Sequence, residues 1–336
     1  MLSIEACDSL GTSSLSITIN KRYHKSIMTI LIFGGTGSIG TGLANTLFDQ
    51  GEPVAIAARR PPPSNKPYDL ENRIDFYCCD ITNSKHVKAT IEAAQPAQII
   101  HLAAMLIGDC EKNPQKANAV NVAATINILK EAVVAGVNRL IFASSIAVYG
   151  GGRGPFEETM NPGARSVYGA GKYYCEIFGN RFAKQNNLSF LALRYSGVIG
   201  PSKVKGDGMA AARDRIKEIV SGEDVDIDFL SGEECTQYTY IDDAVGATIA
   251  ALRHPKPSFP VYNVAGPDEN CISYKEYYQM IRSLAPNPGT VNFTGPSLRG
   301  GGHMVTKRLR DDLGFEPRFT VKEALRDEFI KTGIIG

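Results

Sequence analysis

Tyr168 and Lys172 stand four positions apart in the run Ser166-Val167-Tyr168-Gly169-Ala170-Gly171-Lys172. On a helix that spacing puts both side chains on one face. There an ammonium group favours ionisation of a phenol that is otherwise too weak an acid for neutral pH. The chemistry on offer is proton transfer. A chain with 14 Tyr meets one such spacing by chance, so the pair takes its meaning from its neighbours. Upstream lies Gly34-Gly35-Thr36-Gly37-Ser38-Ile39-Gly40, preceded by a strand-length apolar run and followed by a helical pattern. Glycines at such a junction allow a tight turn, close approach of backbone to a pyrophosphate and close helix packing. Loop and pair together point to nicotinamide-dependent proton and hydride transfer.

These groups must be held by a scaffold, and the hydrophobic pattern supplies one. Apolar runs of strand length occur at 30–33, 53–58, 74–79, 98–102, 139–143 and 189–193, with gaps long enough for crossover helices. The alternation predicts an α/β fold, a Rossmann-type doubly wound parallel sheet. Helical spacing is clear over 42–49, 120–135 and 167–184, the last entered through Ser166 as N-cap. Beyond 193 the regularity weakens, with a helix expected over 209–220, strands over 225–229, 238–241 and 261–264, and Asp242 and Asp243 capping a further helix. The expected organisation is a leader over 1–27, a dinucleotide-binding domain over 28–195 to which 238–266 returns, and a smaller, interleaved substrate-binding domain over 196–237 and 267–336.

Composition narrows the partners. A chain of 336 residues with 43% hydrophobic content can bury a large core. A formal net charge of +1, with charges scattered, marks no nucleic-acid stripe and no membrane-binding face. The 7 Cys show no C-x-x-C pairing and no Cys/His ligand spacing, which argues against a metal site and a disulfide framework. No apolar run approaches the ~20 residues of a membrane span. The first 27 residues lack a signal-peptide core. A cytoplasmic enzyme acting on a small molecule is expected.

The end of the second expected strand bears on cofactor choice. NAD enzymes usually place a carboxylate there for the adenosine ribose, whereas this chain has Ala57-Ala58-Arg59-Arg60. Guanidinium groups bind phosphate in a bidentate fashion. Arg59 and Arg60 therefore favour the 2′-phosphate of NADP, with NAD as the alternative.

From Met28 onward the chain resembles the extended short-chain dehydrogenases/reductases, the NAD-dependent epimerase/dehydratase family. The matching pieces, in order, are Gly34 to Gly40; Asp80-Ile81; His101-Leu102-Ala103-Ala104; Asn121-Val122; Ser144-Ser145-Ile146-Ala147-Val148-Tyr149-Gly150; Tyr168 with Lys172; Arg194-Tyr195; Tyr240-Ile241-Asp242-Asp243; and Tyr262-Asn263-Val264-Ala265-Gly266. The resemblance implies Ser145 as the catalytic hydroxyl on the substrate oxygen and Tyr168 as general acid/base. It implies Lys172 as the residue that lowers the phenol's pKa and holds the nicotinamide ribose. It further implies cofactor contacts from Gly34, Thr36, Gly37, Ser38, Ile39, Asp80, Ile81, Leu102, Ala103, Ala104, Tyr195 and Val198, and substrate contacts from Met105, Ser145 and Ser196. Asn121 and Tyr149 read as scaffold residues. Relatives pair through helices like 120–135 and 167–184, which implies a homodimer.

Departures from the family pattern narrow the reaction. Dehydratases of the family carry an Asp-Glu pair directly after the catalytic hydroxyl, where this chain has Ile146 and Ala147. Neither can transfer a proton. Nucleotide-sugar members commonly carry Asn and Arg against the diphosphate, where this chain has Gly197 and Thr236, although Lys203, Lys205, Arg213 or Arg215 could stand in. The expected function is an NADP-preferring oxidoreductase acting on a secondary alcohol or ketone of a small polar metabolite. The alternatives are a nucleotide-sugar 4-epimerase and a non-catalytic dinucleotide sensor.

Overall fold

The computed structural model describes residues 29–61, 70, 73–201, 215–297 and 300–334. The expected leader over 1–27, and Lys203, Lys205 and Arg213, lie outside them. The strands in chain order are β1 (Thr29–Phe33), β2 (Val54–Ala58), β3 (Asp75–Cys78), β4 (Pro96–His101), β5 (Arg139–Ser145), β6 (Ser189–Tyr195), β7 (Gly197–Ile199), β8 (Val225–Ile227), β9 (Cys235–Tyr240), β10 (Val261–Val264), β11 (Cys271–Ser273) and β12 (Val291–Phe293).

Seven of these form one sheet in the order β3-β2-β1-β4-β5-β6-β10, with every pair parallel. Parallel strands bury both faces, which is why these segments read as continuous apolar runs. Along β1, Ile30 and Ile32 enter one core layer while Leu31 and Phe33 enter the other. The helix α1 (Ser38–Asp49) and the helix Ile241–Arg253 cover the first face. On the second lie α2 (Ser84–Ala94) and, after the short α3 (Ile107–Lys112) and α4 (Pro114–Ala117), α5 (Ala124–Val134) and α6 (Val167–Gln185). Strand order reverses between β1 and β4. In open α/β sheets a ligand crevice forms outside the C-terminal ends of the strands at that point, and the glycine loop and Leu102-Ala103-Ala104 sit there.

Several expectations change in detail. The segment 120–135 is not one helix: a wide π-turn, Asn118–Ala123, precedes α5. The boundary expected at 238 falls inside β9, which pairs with β7 and β11 in a separate small sheet. Within that sheet β9 and β7 run parallel. Asp242 and Asp243 do not cap their own helix. Asp243 accepts backbone N–H groups of Arg318 (3.0 Å) and Phe319 (2.9 Å), and Asp242 lies 3.7 Å from Lys331. In the first turn of that helix their charge still complements the dipole. Buried Arg139 ties β5 to the other end of the same helix, donating to the carbonyls of Leu252 (2.8 Å) and His254 (2.6 Å). Among the described residues, no helix is long and apolar enough to cross a membrane.

Candidate active site

The glycine loop is built to leave main chain at its surface. Gly34 sits at φ +83°, and a Cβ there would lie 2.6 Å from Ala103 N. One on Gly40 would lie 2.4 Å from Gly34 O. These contacts press β1, the loop and the end of β4 together. Gly37 is the N-cap of α1, and no side chain caps the first turn, which holds no acidic residue. Backbone N–H groups at the positive end of a helix dipole fit a pyrophosphate. Thr36, Ser38 and Ile39 are partly exposed around this turn.

Beside the loop, Leu102 N and Ala103 N both donate to Phe33 O, at 2.9 and 3.1 Å. The chain then passes Ala104 and Met105, and Met105 is clamped by a residue read from sequence as scaffold. Asn121 Oδ1 accepts from Met105 N at 2.8 Å, and its Nδ2 donates to Met105 O at 3.0 Å. The π-turn presents Asn121 for this grip. Nothing in the helical spacing of the sequence showed that turn.

Ser145, Tyr168 and Lys172 converge. Ser166 caps α6 by accepting from Gly169 N at 3.0 Å. From its first turn Tyr168 faces Ser145 at the end of β5, near enough for that hydroxyl to lower the phenol's pKa. Lys172, one turn on, donates to Ala143 O at 2.6 Å. Its Nζ lies 5.5 Å from the centre of the Tyr168 ring and 4.7 Å from that of Phe142. Burial pushes the Tyr168 phenol up to about 12, against a lowering by Ser145. Burial likewise brings Lys172 down to about 8, against Cys175, Cys110 and Glu176, which favour its charged form. The sequence led us to expect Lys172 to promote ionisation of the phenol. In the structure burial raises the phenol and Ser145, not Lys172, lowers it, while the ammonium is anchored to a carbonyl over the ring face.

Behind Ser145 runs a buried polar chain that sequence reading missed. Ser144 Oγ donates to Glu176. Glu176 forms a doubly bonded pair with Arg194, at 2.9 Å from Nε and 2.6 Å from Nη2. Arg194 Nη1 donates to Tyr149 Oη at 2.8 Å, and that hydroxyl donates to Asn263 Oδ1 at 2.8 Å. A signal was present: Glu176 lies four residues beyond Lys172 on the same helix face.

Other expected contacts fall differently. The Tyr195 hydroxyl is 2.6 Å from Thr248 Oγ1 inside the core, so a cofactor contact at this position would come from backbone. Ser196 is buried with its hydroxyl on Thr239, and Val198 packs against the core. Ile81 is also buried. Asp80 Oδ1 accepts from Thr82 N (2.9 Å) and Oγ1 (2.7 Å). Those bonds and nearby Arg59 and His86 hold its carboxyl below the usual range, against burial, the largest single effect. Arg59 and Arg60 are exposed at the end of β2.

A glycine turn at the switch point, opposite a Ser-Tyr-Lys cluster, defines a nicotinamide-dependent class of protein. The model of the NAD dependent epimerase/dehydratase family matches residues 30–265, and the chain belongs to that family. Its relatives divide by activity. It is 27% identical over 270 residues to bovine mitochondrial L-threonine 3-dehydrogenase, covering 76% of this chain and 70% of that one. It is 26% identical over 314 residues to a UDP-glucuronate 4-epimerase of Thermodesulfobacterium geofontis, covering 88% and 93%. The fold matches UDP-glucose 4-epimerase of Thermotoga maritima with a TM-score of 0.82 at 24% identity, covering 91% of this chain and 99% of that one. It also matches L-threonine 3-dehydrogenase of Trypanosoma brucei with a TM-score of 0.81 at 21% identity, covering 91% and 97%.

Proposed function

We propose that this chain is a nicotinamide-dependent oxidoreductase acting on a secondary alcohol or ketone of a small polar metabolite. The observation that carries the reading is the meeting of Ser145, Tyr168 and Lys172 at the C-terminal end of β5, with Ile146 and Ala147, not carboxylates, following the hydroxyl. The nicotinamide would supply the hydride acceptor or donor. The glycine turn and the N-terminus of α1 would hold its pyrophosphate, and Leu102, Ala103 and Ala104 would border the ring. Ser145 binds the substrate oxygen, and Tyr168 passes a proton to or from it. Lys172 holds the ribose. A cation beside the phenolic oxygen in the loaded site would favour its ionised form.

A second reading is a 4-epimerase, favoured by the UDP-glucuronate 4-epimerase relative, which matches more of this chain than the threonine dehydrogenase does. Denaturing fresh protein and identifying the released nucleotide separates the two. An empty or freely exchanging site supports the dehydrogenase, and tightly held stoichiometric NAD supports the epimerase.

Our reading includes NADP preference through Arg59 and Arg60. Replacing both with Ala should weaken NADPH by roughly 10-fold or more, the loss of a charge-assisted hydrogen bond, and leave NADH nearly unchanged. Equal loss for both cofactors, in a fluorescence titration, would remove the arginines from the phosphate site.

We also propose a homodimer through the outer faces of α5 and α6. On α6 the rings of Tyr174, Phe178 and Phe182 stack in a row. Tyr174 and Ile177 are exposed, as is Val134 at the end of α5, at 80%. An apolar stripe of this kind suits a two-fold partner. Wild type should sediment as a dimer and Ile177→Asp as a monomer, and a monomeric wild type at micromolar concentration would end this part of the reading.

A further inference from the structure

Gly300, Gly301 and Gly302 form a strap of main chain across one side of the candidate site. Toward β9, Gly302 N donates to Cys235 O at 3.0 Å and Gln237 N donates to Gly302 O at 3.2 Å. Toward the segment after the Ser145 turn, Gly152 N donates to Gly300 O at 2.9 Å. Two more bonds on that side continue the strap: His303 N donates to Arg153 O at 3.0 Å, and Phe156 N donates to His303 O at 2.8 Å. The strap is therefore held from both sides.

Glycine is required along its length. A Cβ on Gly300 would lie 2.0 Å from Cys235 O, and one on Gly302, where φ is +72°, 2.5 Å from Gly152 O. On Gly301 it would lie 2.3 Å from Thr236 Oγ1 and 3.4 Å from Ile146 Cδ1. The space between buried Thr236 and Ile146 is thus filled by backbone. Ile146 directly follows Ser145, and residues 145–147 are half-buried between buried Ser144 and buried Val148. They are the lip of the site.

We infer that the strap is a specificity wall: it closes the site beyond Ile146, so the substrate is a compact hydroxy or keto compound with no nucleoside diphosphate arm running toward Thr236. This rests on the reading that Ser145 and Tyr168 meet the substrate. A diphosphate in that direction would need room as well as charge-assisted contacts, and among the described residues it would meet Thr236 and main chain already packed against it and Ile146.

The test titrates UDP-glucose and UDP-glucuronate into NADH-loaded wild-type protein by calorimetry. No saturable binding at millimolar concentration is expected, and a Kd of roughly 100 µM or tighter would overturn the wall. Thr236→Arg then separates shape from charge. A variant that still binds neither sugar nucleotide supports the wall, whereas one that gains binding shows that only a cation was missing and overturns it. If Thr236→Arg fails to fold while Thr236→Val folds, the position rejects volume, and the wall stands. A chain that binds no nicotinamide at all would sink the oxidoreductase reading instead, and the same titration without cofactor would still read the wall.

Discussion

Tyr168→Phe should lower turnover by roughly 10²–10⁴-fold, the usual contribution of a positioned acid/base, while nicotinamide affinity is retained. The substitution removes one oxygen, the one whose pKa Ser145 lowers. It keeps the ring over which Lys172 sits, so the site should keep its shape. The measurement is steady-state turnover beside a cofactor titration, and near-normal turnover would end the assignment of Tyr168 as proton carrier. Lys172→Met should damage both quantities, because in the proposed site the same ammonium would hold the ribose and stand beside the phenol. The two variants together separate proton transfer from cofactor holding.

How far the sequence carries the site depends on the range of the interaction. Ser166 as N-cap, the glycine turn and the strand Val261–Val264 are local patterns, and each stands in the structure where the spacing puts it. The four-residue spacing of Tyr168 and Lys172 also carries over, because one helix fixes it. What the sequence does not carry is direction and distance. The Tyr195 side chain turns to Thr248, 53 residues away, and no pattern along β6 says which neighbour its hydroxyl finds. Asn121 was legible as a buried polar residue, but its grip on Met105 depends on a π-turn that helical periodicity cannot report. The capping boxes Ser273/Glu276 and Thr320/Glu323 were legible in kind and went unread, although both are formed. The strap was visible as three glycines, but its contacts with Thr236 and Ile146 join segments far apart in the chain.

The other large effect should fall on stability. Glu176 and Arg194 are exposed by only 4% and 3% at their side chains, so each neutralises a charge that water cannot reach. Removing one partner of such a pair costs about 3–5 kcal/mol, and Glu176→Gln or Arg194→Met should each lose on that order in chemical denaturation. Replacing both should lose less than the sum, because the second change removes the orphaned charge. Additive losses would show that the two side chains contribute independently.

The consequence reaches the site by two routes. Ser144 loses its carboxylate acceptor, so the end of β5 that presents Ser145 is less firmly held. Lys172 loses one of the charges that favour its protonated form. Its folded value of about 8 lies below the unfolded 10.5. Between those values the unfolded chain holds a proton that the native chain lacks, and stability rises with pH through that window. Glu176→Gln lowers the folded value further and opens the window from a lower pH, so the variant's stability deficit should narrow as pH rises to about 8, the wild-type folded value, and stay level above it, while Arg194→Met, which leaves the carboxylate in place, should show no such narrowing. A deficit for Glu176→Gln that is the same below about pH 8 as above it would mean that the carboxylate does not act on Lys172 and holds only Ser144 and Arg194.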